Sequence, residues 1–156
     1  SRLVRPEKNN LFLIDILRQS SFSKYKKVVI GEMPDRFITI DNTKCVGLVT
    51  HEMTMSIMAR SKLLLVPSLF DASPNMIREA LDNRCLSLLT HNVGFSDKFP
   101  KQFVLDGFNR NQWSDRIIEI LKNYNNITKN FNYDFLNNTN IDKEFARLIS
   151  VIKSQL

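Results

Sequence analysis

The sequence predicts an α/β domain of the doubly wound kind, three layers deep (α/β/α), with helices on both faces of a mostly parallel sheet. Short unbroken apolar runs are the first sign, and Leu63-Leu64-Leu65-Val66 is the clearest of them. Too short for a helix, such a run suits a strand buried on both faces of a parallel sheet. Between these runs lie stretches whose apolar residues recur at helical spacing, so strands and helices alternate along the chain. The third sign is a turn after the 63–66 run that has the makings of a phosphate seat at a strand's carboxyl end.

Taken in order, residues 10–21 read as a helix with Leu11, Ile14 and Leu17 on one stripe. Residues 27–31 (KVVIG) read as a strand, 33–36 as a turn, 37–40 as a short strand and 45–49 as a more convincing one. A Met-rich helix follows over 51–60, its Met53, Ile57 and Met58 read as core. After the 63–66 strand and Pro67 the period changes, because Met76, Ile77, Ala80 and Leu81 line one helical face. Ser73 is placed as N-cap and Pro74 as N1, where a fixed φ and a missing N–H cost nothing. Residues 85–90 form another buried strand, 92–94 a turn and 102–106 the last strand. Two amphipathic helices close the chain, at about 110–124 (Trp113, Ile117, Ile120, Leu121, Tyr124) and 140–155 (Ile141, Phe145, Leu148, Ile149, Ile152). The Asn-rich stretch between them, 123–140, reads as compositional bias, and its two glycosylation sequons are what chance gives in such a stretch.

At 156 residues the chain has the size of a single domain, 1–156, burying roughly two-thirds of its unfolded surface. With 43% apolar and 24% charged residues it has the composition of an ordinary globular protein. No apolar run reaches the ~18 residues of a membrane span, and residues 1–10 hold no signal-peptide core, so no transmembrane segment is expected and the cytoplasm is the default location. Cys45 and Cys85 lie in strand-like runs and read as small buried hydrophobes. Two Cys and two His without ligand-like spacing exclude a structural zinc site, and the isolated glycines exclude a dinucleotide fingerprint or a P-loop. His51 and His91 stand at predicted strand ends, where an imidazole can titrate, but neither has a partner legible in the sequence. Of the net charge of +6, residues 1–78 carry +5, which suits an anionic ligand near the predicted seat and keeps nucleic acid as a rival.

The seat itself lies in PSLFDASPNMIREA. A helix start offers free N–H groups and the positive end of the helix dipole to an anion. Asp71 and Glu79, with seven residues between them, bracket it, so that one carboxylate can stand beside a phosphate and the other reach hydroxyls across the same ligand. This segment resembles the donor-site motif of the group 1 retaining glycosyltransferases of the GT-B fold, with Asp71 in place of the usual glutamate. The resemblance implies a Rossmann-like domain, the C-terminal half of such an enzyme, reaching from Arg2 to about Tyr124. It implies that Asp71 contacts the donor sugar, that Glu79 contacts the ribose hydroxyls, and that the backbone of Ser73, Pro74, Asn75 and Met76 meets the diphosphate. Arg2 and Lys8 match the family's paired diphosphate cations, and Val49 and Thr50 fall where backbone groups hold the base.

By the same resemblance the substrate is a UDP- or GDP-sugar. No cofactor and no metal are needed, and the carbohydrate or glycan acceptor with its histidine belongs to an N-terminal domain absent from this chain. Two rival readings stand beside it: a basic nucleic-acid-binding module, disfavoured because the Phe positions fall on core stripes, and a Rossmann-like scaffold without activity, suggested by Asp71 and by a loop that keeps only Gly94.

Overall fold

The computed structural model of the chain describes residues 5–32 and 39–136. In these residues five short strands alternate with helices: α1 (Asn10–Leu17), β1 (Lys27–Val29), β2 (Thr43–Cys45), α2 (His51–Ala59), β3 (Leu63–Val66), α3 (Asn75–Asp82), β4 (Leu86–Thr90), β5 (Val104–Leu105), α4 (Arg110–Lys122) and α5 (Tyr124–Asn130). Among the described residues the five strands pair in parallel, as the expected α/β fold requires. The hydrogen-bonded ladders number two, however: β1 pairs with β2, and β3, β4 and β5 form a three-stranded sheet in that order. Side chains join them. Leu65 of β3 packs with Val29, Ile40, Ile14 and Leu17, which ties the two ladders together under α1.

Alternation along β3 makes the layers. Leu65 faces α1, while its neighbour Leu64 packs with Met58, Met76, Ala80 and Cys85 between α2 and α3. On the α1 side Phe12 meets Trp113 of α4 edge to face at 5.8 Å, so one helix layer is α1 with α4 and the other is α2 with α3. β4 lies between its two neighbours and every one of its residues is buried. Truncating Leu86, Leu88 or Leu89 there is expected to cost about 2–5 kcal/mol each.

Several boundaries differ from expectation for identifiable reasons. The second strand is 43–45 instead of 45–49, because Cys45 pairs with Val29 and Gly47, at φ 67, then turns the chain away. Of the strand expected at 37–40, residues 37 and 38 lie outside the described residues, Thr39 is in a turn, and Ile40 contributes only its buried side chain. The 102–106 run becomes a one-turn helix, Lys101–Phe103, followed by β5. Leu11, expected on the buried stripe of the first helix, is exposed, and Phe12 and Ile16 are buried instead. Part of the Asn-rich stretch forms α5, since Tyr124 and Ile127 find core contacts there. The helix expected at 140–155 lies outside the described residues.

Candidate functional site

The carboxyl ends of β3 and β4 and the segment before α1 converge. Pro6–Lys8 form a single 3-10 turn that presents Lys8, and Asn9 follows at φ 54, ψ 42, a left-handed conformation Asn tolerates better than most side chains. Two bonds fix this turn: Asn9 Nδ2 donates to the Gly107 carbonyl at 2.9 Å, and the Leu69 amide donates to the Glu7 carbonyl at 2.8 Å. The turn is thus held against the loops after both β5 and β3. Lys8 Nζ consequently reaches Asp71 Oδ2 at 2.6 Å, and both side chains are only 19% exposed. Sequence reasoning assigned one of these residues to a phosphate and the other to a sugar. The fold places them in contact with each other.

The loop from β3 to α3 is held extended before its helix starts. Thr90 Oγ1 donates to the Ser68 carbonyl, Asp71 bridges Val93 in parallel, and the Gly94 amide donates to the Asp71 carbonyl at 2.7 Å. Gly94 is required for this approach. A Cβ there would stand 2.9 Å from the Ala72 carbonyl carbon, closer still to its oxygen, and 3.2 Å from Pro74 Cδ. The extended stretch runs one residue further than expected, which corrects the placement of the helix start: Pro74, not Ser73, is the N-cap, and no side chain caps it. Ile77 donates the first intrahelical bond, to the Pro74 carbonyl at 2.9 Å, so the amides of Asn75 and Met76 precede the ladder and face outward from the helix end. Ser73 and Asn75 are exposed, Met76 is half-buried and Pro74 is buried.

Glu79 lies further along α3, on the side that meets α2. Its Oε1 stands 3.7 Å from Nδ1 of His51, the first residue of α2. Thr50 caps that helix, its hydroxyl accepting from the Met53 amide at 3.2 Å, and Val49 precedes it half-buried. The fold therefore places Lys8 and Asp71 beside the loop that leads into α3, while Glu79, further along that helix, meets the start of α2 directly after Val49 and Thr50. Arg2 lies outside the described residues. His51 had no partner in the sequence because Glu79 is distant along the chain, and only the packing of α2 on α3 joins them. His91 contributes its carbonyl to Ser96 Oγ at 2.7 Å, with its side chain exposed.

Among the described residues no group of three or more His, Cys, Asp and Glu is placed to hold a metal ion. Nor is any helix there long and apolar enough to cross a membrane. Both cysteines are free; burial pushes the Cys85 thiol up to about 12 and raises that of Cys45 as well.

Neither a protein-family model nor a curated protein matches the sequence. Solved structures do match the fold. The catalytic domain of cholesterol-alpha-glucosyltransferase from Helicobacter pylori superposes with a TM-score of 0.72 at 14% identity, over 87% of this chain and 94% of that one. WaaG, a glycosyltransferase involved in lipopolysaccharide biosynthesis, superposes with a TM-score of 0.61 at 17% identity, over 83% of this chain and 41% of that one. With parallel strands between two helix layers and glycosyltransferases of this build as structural neighbours, the chain has the Rossmann-like α/β fold of the GT-B glycosyltransferases.

Proposed function

We propose that this chain is the nucleotide-sugar-binding domain of a glycosyltransferase that transfers a hexosyl group with retention. The observation that carries the reading is the convergence of Lys8, Asp71 and the α3 start at one end of a surface whose other end holds Glu79 and the Thr50 loop. That span suits a ligand with a charged diphosphate at one end and a hydroxylated nucleoside at the other.

In transfer, the bond between the sugar's C1 and the diphosphate oxygen breaks while an acceptor hydroxyl oxygen bonds to C1, and negative charge collects on the departing diphosphate. Lys8, the Asn75 and Met76 amides and the α3 dipole oppose that charge in place, which is electrostatic preorganisation. Arg2 adds a second cation by its resemblance to the family's paired positions. Asp71 takes two roles in turn: it holds Lys8 in the free protein and contacts the donor sugar when Lys8 shifts toward phosphate. The carbohydrate or glycan acceptor and its base belong to a partner domain across a cleft, so this chain binds donor without efficient transfer.

Calorimetric titration with UDP, GDP and their sugars tests the reading. Binding weakened by both Lys8→Ala and Glu79→Ala is the expected result, and equal affinity in wild type and both variants would remove the site. A random oligonucleotide that displaces nucleoside diphosphate at physiological salt, with the steep salt dependence of counterion release, would favour the nucleic-acid reading instead.

A further inference from the structure

His51 has no role in the reading above, yet the fold aims it at a residue that does. Its backbone is fixed by the Thr50 cap on α2, and its ring is 71% exposed. Nδ1 and Glu79 Oε1 face each other across 3.7 Å, the carboxylate being 30% exposed. That separation is beyond hydrogen-bond length, so both atoms keep their capacity for a ligand. Two ligand oxygens on adjacent carbons fit such a gap: one hydroxyl donates to the carboxylate, and its neighbour meets Nδ1, which accepts or donates according to its tautomer. A second phosphate does not fit, because Glu79 repels it. The chemistry is that of a neutral vicinal diol.

We propose that His51 is the second contact of the ribose diol, dividing the two hydroxyls with Glu79, and that the pair makes the site selective for ribonucleotides over deoxyribonucleotides. The inference rests on the donor-site reading. It adds a residue and a discrimination to that reading. Loss of a hydroxyl removes one of the two hydrogen bonds, and the site disfavours the deoxy analogue by the net worth of that bond.

The test is calorimetric binding of UDP and GDP and of their 2′-deoxy and 3′-deoxy forms to the 156-residue chain. In wild type each missing hydroxyl is expected to weaken binding about fivefold. His51→Ala is expected to weaken the parent diphosphates by a similar factor and to abolish the penalty at one of the two positions, leaving the other intact. If His51→Ala binds UDP or GDP but retains both penalties in full, His51 is not a diol contact and the donor-site reading stands without it. If wild type binds neither diphosphate, the donor-site reading fails and this inference with it.

Discussion

The two ends of the candidate site are built differently. At the Lys8–Asp71 end the parts are held by residues distant in sequence: Lys8 by Asp71, Asn9 by Gly107, Glu7 by Leu69, and Asp71 by Gly94. At the Glu79–His51 end the two side chains approach to 3.7 Å, beyond hydrogen-bond length, on two helices that pack through Met58, Ala80 and Cys85. The first end is cross-linked by side-chain and backbone hydrogen bonds; at the second, Glu79 and His51 stand further apart and more exposed. Charge needs this asymmetry. An ammonium and a carboxylate that are mostly buried must be paired in the free protein, whereas exposed polar atoms are satisfied by water until they are needed.

The comparison breaks most visibly at Gly94. Gly94→Ala forces its methyl into the Ala72 carbonyl and is expected to destabilise by at least ~2 kcal/mol while abolishing diphosphate binding, both read from denaturant melts and calorimetry. Lys8 and Asp71 come next. Each single change, Lys8→Met or Asp71→Asn, leaves a mostly buried partner without its charge-assisted bond and is expected to cost ~1.5–3 kcal/mol, with a double-mutant cycle giving a coupling of ~1 kcal/mol or more. Glu79→Gln, by contrast, is expected to change stability by less than ~0.5 kcal/mol while weakening nucleotide binding; a large stability loss would show that the nucleoside end is cross-linked too.

A smaller effect separates the two helix starts. Thr50→Ala is expected to cost ~1 kcal/mol through its cap on α2, whereas Ser73→Ala, whose hydroxyl caps nothing, is expected to be neutral. The alkaline limb is the smallest test. Cys85 rises from its ordinary 9.0 to about 12 and Tyr133 from 10.0 to about 12, in both cases chiefly by burial. Folding holds both groups neutral, so their contribution to stability is complete below pH 9 and is lost as pH rises toward 12. Cys85→Ala should flatten thermal stability between pH 9 and 10, leaving the tyrosine's share above that.

Much of this was legible in the residues. Leu63-Leu64-Leu65-Val66 became a strand over the residues expected, because a run of four apolar side chains between polar neighbours has one economical use in a parallel sheet. The helix of 51–60 and the one beginning near residue 110 also matched closely in extent, although Met53, read as core in the first, is exposed and Met58 is the residue buried there. What the sequence concealed were facts of approach between distant segments. Ser73 looked like a cap because its local chemistry suits one, but the Asp71–Val93 bridge and the Gly94 contact keep the chain extended past it. Lys8 and Asp71 were each singled out as candidates from the sequence, while their mutual contact required the turn before α1 to be held against the loops after β3 and β5. His51 and Glu79 are another such pair. Residue 2, matched to the family by spacing, lies outside the described residues.

Trp113, the chain's single tryptophan, is fully buried against Phe12, and its indole Nε1 donates to the Asp106 carbonyl at 2.7 Å. The next carbonyl, that of Gly107, is the one that receives Asn9. The chain's one indole fluorophore, excited apart from the three tyrosines at the red edge of the absorption band, is thus buried a single peptide unit from the strut that steadies Lys8. Its emission is an unlabelled optical gauge whose colour follows global unfolding and whose intensity responds to displacement of the turn that carries Lys8.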